Sequence, residues 1–305
     1  MTTPLLGLVD TGVVVRLGDA ALLGGLALGA VLFDIVFTTF NFLRASTTAL
    51  VSQAVGADDE EQQRIVLLRA LALSAAIGFA VLLVSPLILS VGLWVMESTD
   101  AVENAVRDYF TLRVVAAPLT LLNYATLGWL LGQARAGTAL LLQTVLNGTN
   151  IALSIHLGLN LGWGIEGVAW ATVIAEGVAV LLGLGLVVLS MRGFSFPNTA
   201  RLLNPSALKR LFGVNRDIMI RSLCLLFGFA FFTFQSSKFG DETLAANAVL
   251  MNFFLFAGYF LDGMATAAEQ LAGRAVGANY RPAFDRSTRL SLFWGFVQAG
   301  LTTLA

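Results

Sequence analysis

Long uninterrupted apolar segments are the feature that most constrains the fold of this 305-residue chain. A helix needs roughly 20 mainly apolar residues to cross a bilayer, and seven segments are long enough: 20–44, 65–96, 110–132, 138–158, 165–191, 215–237 and 243–272. Shorter apolar pieces at 4–15 and 290–305 predict two partial spans. The runs are continuous and do not alternate with polar residues, which favours helices over a membrane β-barrel. The sequence therefore predicts an all-α polytopic membrane protein.

The composition excludes several classes of function. Charged residues make up 12% of the chain and hydrophobic residues 57%, whereas soluble domains carry about a quarter charged residues. The net charge of −1 gives no reason to expect a nucleic-acid partner. One histidine, His156, and one cysteine, Cys224, cannot form the usual zinc site or a disulfide framework. We expect neither a cofactor nor an enzymatic activity.

Basic residues predict the orientation because they collect in alternate connections between the spans. One set of connections holds most of them: Arg64, Arg135, Arg192, Arg201, Lys209, Arg210, Arg216, Arg274, Arg281, Arg286 and Arg289. The other set holds Arg16, Arg107 and Lys238. Connections rich in Lys and Arg face the cytoplasm, so the N-terminus and the basic loop 192–214 are predicted to be cytoplasmic.

A repeat with an offset of 221 residues predicts two lobes. Residues 53–57, which read QAVGA, return at 274–278 as RAVGA (274 − 53 = 221). Six crossings separate the copies, so both have the same orientation, as in transporters built from parallel repeats. We expect a first lobe at 1–191, a linker at 192–214 and the start of a second lobe at 215–305.

The length of the repeat also predicts an incomplete chain. A first copy of 221 residues implies a second of similar length, but 84 residues remain (305 − 221). The expectation is a parent of six plus six helices whose first helix lost its opening turns. Roughly its last three and a half helices would be absent.

Polar residues inside the spans mark a candidate site in the first lobe. Asp10 follows an apolar run, and an ionisable group inside a membrane helix is a functional hypothesis by default. It either binds a coupling ion or makes a structural hydrogen bond near Arg16. Asn147, Asn150 and Ser154 share one helix face at i, i+3 and i+7. This polar stripe predicts either a network with Asp10 or ordinary interhelical contacts.

A second candidate site lies in the second lobe. Asp262 and Glu269 are seven residues apart and share a helix face, with Arg221 as a predicted partner. They either line the cleft from the opposite lobe or form an ion pair that fixes spans seven and eight. Gly25 and Gly29 have the small-residue spacing that permits close helix packing. Asp34 and Glu176 are further acidic residues in or near the spans.

An ordered set of motifs resembles the multidrug and toxic compound extrusion (MATE) family, in its DinF-like (DNA-damage-inducible protein F) branch. Residues 4–11 (PLLGLVDT) resemble the first-helix signature, and 43–57 resemble the second helix. Asn147 and Asn150, followed by GWG at 162–164 and GVAWAT at 167–172, resemble helices five and six. Residues 215–221 resemble the start of the family's second lobe, and so does LDG at 261–263 with Glu269.

The resemblance implies a fold of two six-helix lobes around a cleft and an exporter of amphipathic, often cationic compounds. The driving ion would be H⁺ or Na⁺, carried at Asp10 and surrounded by a polar network that includes Thr172. Several members have a second aspartate where this chain has Ser154, so a two-carboxylate site does not carry over. The resemblance further implies a full-length monomer in the inner (plasma) membrane of a prokaryote.

Three other functional hypotheses compete with export. A lipid-linked precursor flippase, from a related two-lobe family, would need several basic residues in its cleft, but the spans hold few, among them Arg44, Arg113 and Arg221. An intramembrane aspartyl enzyme would need a carboxylate dyad such as Asp10 with Asp34, and no glycine-flanked motif surrounds either residue. A non-transporting truncated remnant is the third reading.

Overall fold

The computed structural model describes residues 3–16, 18–96, 98–190, 204–239 and 241–304, and their regular secondary structure is entirely helical. The eleven α-helices of the described chain are α1 Thr3–Val15, α2 Ala20–Thr39, α3 Phe42–Gly56, α4 Glu60–Met96, α5 Asp100–Arg113, α6 Ala117–Gly132, α7 Ala136–Leu153, α8 Gly164–Ser190, α9 Pro205–Ser237, α10 Asp241–Gly277 and α11 Arg281–Leu304. A 3₁₀ turn, Val114–Ala116, joins α5 to α6, and a π-helical segment, Ser154–Asn160, extends α7.

These helices confirm the predicted all-α membrane fold. Five continuous helical stretches of the described chain are long and apolar enough to cross a membrane: 20–56, 60–96, 100–132, 136–160 and 164–190. The predicted segments 215–237 and 243–272 lie within α9 and α10, helices of 33 and 37 residues. Helix α9 begins at Pro205 and not near residue 215. The last part of the predicted linker is therefore helical, and its residues 192–203 lie outside the described residues.

The structure repeats with the same offset as the sequence. The span formed by α2 and α3 begins at Ala20 and ends at Gly56, and α10 begins at Asp241 and ends at Gly277 (241 − 20 = 277 − 56 = 221). Just after each helix end, a residue has a positive φ: Asp58 at 54° and Asn279 at 50°. These two residues are also 221 positions apart (279 − 58 = 221). Residues that tolerate a left-handed backbone end both helices in the same way.

The two repeated helix ends pack against each other, an arrangement that we call the α3–α10 contact. A Cβ atom added at Gly56 would collide with the backbone carbonyl of Arg274, and one added at Gly277 would collide with that of Gln53. Gln53 and Arg274 are equivalent positions of the repeat, so the contact is reciprocal. Nearby, Nη2 of Arg274 donates to the carbonyl of Gln133 in the first lobe at 2.9 Å. Glycine thus lets the two backbones touch at this end of the bundle.

Within the first lobe, glycines bring α2 onto α5. A Cβ atom at Gly25 would collide with Ala105, and one at Gly29 would lie 2.6 Å from Cδ1 of Tyr109. The predicted role of the Gly25–Gly29 spacing in close packing is confirmed. The contact seats Phe33 against Tyr109 and Phe110 in the core, with ring centroids 6.1 and 4.8 Å apart. It thereby fixes the position of Arg113 at the end of α5.

Candidate functional site

A chain of polar contacts joins α1, α7 and α8 in the first lobe. The hydroxyl of Ser154 donates to Oδ1 of Asp10 at 2.8 Å and lies 3.4 Å from Oδ1 of Asn150. Nδ2 of Asn150 donates to Oγ1 of Thr172 at 3.0 Å. Ser154 is fully buried and Asn150 nearly so. Four of the five residues predicted for this site are thus connected directly.

The local backbone explains why Ser154 reaches Asp10. The α-helical geometry of α7 changes to π-helical at Ser154, and single π turns inside α-helices are frequent at functional sites. A Cβ atom at Gly158 would lie 2.7 Å from Cγ1 of Val13, so α1 lies directly on this segment. A Cβ atom at Gly167 would lie 2.7 Å from the backbone nitrogen of Gly158. Glycine therefore allows α1, the π segment and α8 to meet at one point.

The polar chain borders a first-lobe cavity of about 540 Å³. Its lining includes Asp10, Asn147, Asn150 and Thr172. Ser154 is not in the lining but is hydrogen-bonded to Asp10. The cavity also takes in residues that the sequence did not assign to this site: Asp34, Tyr109, Arg113, Thr120, Asn123, Tyr124, Gln143 and Glu176. The available signal was the presence of charged residues within apolar spans, which applies to Asp34, Arg113 and Glu176.

Glu176 and Arg113 each have a specific partner in this cavity. Oε2 of the buried Glu176 accepts a hydrogen bond from Nδ2 of Asn123 at 2.6 Å, and the same amide lies 3.1 Å from the Glu176 carbonyl. Nη1 of Arg113 donates to the hydroxyl of Tyr109 at 2.5 Å. The Arg113 guanidinium carbon lies 4.6 Å from the centroid of the Phe33 ring, a cation–π distance.

The second predicted site forms a separate cavity of about 480 Å³ between α3, α9 and α10. Arg221, Asp262 and Glu269 all line it. The ion pair differs from the expected one, because Nη2 of Arg44 in α3 lies 3.8 Å from Oδ2 of Asp262. Arg44 and Arg221 both act electrostatically on Glu269. The ion pair of Asp262 therefore joins α10 to α3, while Arg221 of α9 lines the same cavity.

Known proteins are similar to this chain in sequence and in fold. The family model MatE matches residues 1–156 and 218–305. DNA damage-inducible protein F of Escherichia coli (strain K12) is 39% identical over 282 residues, which cover 91% of this chain and 61% of that protein. Protein DETOXIFICATION 47, chloroplastic, of Arabidopsis thaliana is 26% identical over 81% of this chain and 45% of its own length. The chain therefore spans less than two thirds of these relatives.

Solved structures show the same fold at low sequence identity. A crystal structure of MATE in the bent conformation matches with a TM-score of 0.87 and 21% identity, covering 97% of this chain and 66% of that one. A MOP superfamily transporter from Pyrococcus furiosus matches with a TM-score of 0.88 and 19% identity, with the same coverage. Family members are transporters and not enzymes. From the family model, the helical fold and these relatives together, the chain belongs to the MatE family of multi-pass membrane proteins.

Proposed function

We propose that the protein is a secondary active exporter that moves amphipathic, often cationic compounds out of the cell in exchange for H⁺ or Na⁺. It would act in the inner (plasma) membrane of a prokaryote, with its N-terminus and the loop 192–214 in the cytoplasm. The names of the relatives support export, since one is a probable multidrug resistance protein, NorM, of Halalkalibacterium halodurans, 25% identical over 295 residues.

The observation that carries the proposal is the hydrogen bond between Ser154 and Asp10 at the wall of the first-lobe cavity. A carboxyl group there can hold one H⁺, or can hold Na⁺ together with neutral oxygens. The neighbouring oxygens come from Ser154, Asn150 and Thr172. An ion at Asp10 would change the charge of the cavity that holds the substrate. Ion and substrate would then alter each other's affinity reciprocally.

The α3–α10 contact supports an alternating-access cycle. It joins the lobes at the end where α3 and α10 terminate, whereas the described lining of the Asp10 cavity includes no residue of α3 or α10. For a substrate to pass, this reciprocal contact must separate in one state and reform in the other. The positive-inside rule assigns the contact to the cytoplasmic side.

Replacement of Asp10 by asparagine tests the proposal. The protein is reconstituted in liposomes, and the movement of a fluorescent organic cation is followed under an imposed pH gradient or an imposed Na⁺ gradient. Wild-type protein should respond to one of the two gradients. Asp10→Asn should abolish the response because the amide can neither take up a proton nor supply the negative charge, while binding of the cation in detergent should persist.

The matched control is Asp19→Asn. Asp19 is exposed and caps α2 by accepting from the backbone N–H of Ala21 at 2.8 Å, and asparagine caps a helix about as well. This variant should keep wild-type transport. Gradient-driven transport that survives in Asp10→Asn would remove Asp10 from the coupling. Wild-type protein that moves no cation under either gradient would overturn export by this chain and favour the remnant reading.

A further inference from the structure

The first-lobe cavity contains an arginine that the carboxylates around it do not neutralise in an ion pair. Asp10, Asp34 and Glu176 are its acidic lining residues, and Arg113 is the basic one in its described lining. Arg113 acts electrostatically on all three carboxyl groups. Within the described chain, none of these carboxylates lies within 4.0 Å of its nitrogens. The cavity therefore presents acidic groups and a separate positive group.

The guanidinium of Arg113 is held in place but keeps unused donors. Tyr109, which is fully buried, accepts from Nη1 at 2.5 Å, and the Phe33 ring lies 4.6 Å from the guanidinium carbon. The Nε atom is buried and has no hydrogen-bond partner. A guanidinium has five N–H donors in a rigid fork, and leaving a buried charged donor unpaired is costly. The buried Nε is closed to the cavity, so a ligand in the cavity would meet the Nη atoms of Arg113. A guanidinium fixed in this way is suited to a carboxylate or another planar anionic group.

We infer that Arg113 is a specificity-determining residue that binds an acidic group of the substrate. The preferred substrates are amphipathic zwitterions, whose positively charged nitrogen lies towards Asp10, Asp34 or Glu176 and whose carboxylate binds Arg113. The volume of about 540 Å³ falls in the range of sites for drug-sized molecules. This inference rests on the proposed function, because it names the substrate class of the same cavity.

Two dyes that differ in one group test the inference. Rhodamine 123 is a cationic methyl ester, and rhodamine 110 has the same ring system with a free carboxylate, which makes it zwitterionic near neutral pH. Binding of each dye to the purified full chain in detergent is measured by fluorescence anisotropy. Arg113→Gln should weaken rhodamine 110 by about tenfold or more, as expected for loss of a charge-assisted hydrogen bond. Rhodamine 123 should bind the variant as well as wild type, or more tightly.

Two further variants separate a binding role from a structural one. Arg113→Lys keeps the positive charge without the planar fork, so it should restore part of the rhodamine 110 affinity and hold the fold if Arg113→Gln is unstable. Arg107→Gln is the control, since Arg107 lies on the same helix, is about half exposed and is 3.8 Å from Glu103. It should change the affinity of neither dye.

The outcomes distinguish the inference from the proposed function. Equal losses for both dyes in Arg113→Gln and Arg113→Lys would make Arg113 structural and overturn the inference. Wild-type protein that binds rhodamine 123 but not rhodamine 110 would also overturn it, while leaving export of cations intact. Failure of wild type to bind either dye would reject the cavity as an export site, and the inference with it.

Discussion

At the residue scale, the hydroxyl of Ser154 holds the carboxyl group that the proposed function depends on. It donates to Asp10 at 2.8 Å from a fully buried position. The resemblance to the family gave this position to a second acid in several members. Here a neutral hydroxyl fills it, so one carboxyl group with a hydrogen-bond donor replaces a carboxylate pair. Like charges so close would disfavour each other's ionisation, and serine removes that repulsion.

Replacement of Ser154 by alanine should destabilise the protein. The change removes the donor to Asp10 and leaves a buried carboxyl oxygen without it, at a cost of about 1–3 kcal/mol. The thermal denaturation midpoint in detergent should fall by a few degrees. Ser90→Ala is the control, because Ser90 is exposed and its hydroxyl donates only to the carbonyl of Leu87 within its own helix. Equal midpoints for the two variants would show that the Ser154–Asp10 bond contributes no stability.

At the element scale, small residues decide which helices can approach. Gly25 and Gly29 let α2 lie against α5, and this places Phe33 beside the Arg113 guanidinium. The 3₁₀ turn Val114–Ala116 then leads into α6, where Pro118 occupies the first turn. Proline is tolerated there because the first N–H groups of a helix have no partner within the helix. The break between α5 and α6 therefore follows directly after Arg113, the basic residue in the described lining of the cavity.

Replacement of Gly25 by leucine should separate α2 from α5. The new side chain would collide with Ala105, and overpacking of this kind costs about 1–3 kcal/mol or more. The prediction is a lower thermal midpoint together with weaker dye binding, because Arg113 loses its support from α2. Gly148→Leu is the matched control, since Gly148 is an exposed helical glycine with open space around its Cβ position. An unchanged midpoint in Gly25→Leu would contradict the close packing of these helices.

At the scale of the whole molecule, the two repeated helix ends meet each other. Gly56 meets the backbone of Arg274, and Gly277 meets that of Gln53. Arg44 and Asp262 precede this contact along α3 and α10, and they form an ion pair between the two helices. Their side chains, however, are 24% and 62% exposed. Ion pairs with that exposure contribute about 0–1 kcal/mol. The backbone contact, which excludes any side chain, is therefore the stronger candidate for the closed end of the cleft.

A disulfide across the α3–α10 contact should stop transport. A Cβ atom at Gly273 would lie 3.0 Å from Cβ of Ser52, and disulfides need about 3.5–4.5 Å between Cβ atoms, so a small displacement suffices. Ser52→Cys with Gly273→Cys, in a Cys224→Ser background, should cross-link on oxidation. Dye movement in liposomes should cease and return on reduction, while dye binding persists.

The control for this cross-link pairs Ser52→Cys with Gly263→Cys. Gly263 lies on the same helix ten residues earlier, and its Cβ position has nothing within 4 Å. No disulfide should form there, as judged by free-thiol titration. Full transport by the oxidised Ser52–Gly273 pair would show that the lobes need not separate at this end.

The helical membrane fold, the 221-residue repeat and the polar face of Asn147, Asn150 and Ser154 were all predictable without coordinates. Each of these depends on local composition or on spacing along one helix, which hydropathy and periodicity report directly. Even the reciprocal helix ends were visible as a repeated QAVGA-like motif, although the sequence did not show that they touch.

The side-chain contacts between helices, in contrast, became visible only in the packed helices. Asp262 pairs with Arg44 and not with Arg221, and Arg113 shares a cavity with Asp10 and Glu176. The rotation and neighbours of each helix are set by the sum of many small van der Waals contacts and hydrogen bonds. Hydropathy measures the transfer of one segment into the bilayer and contains no information on these pairings. The charge pattern of the cavity, and the substrate class inferred from it, therefore required the packed structure.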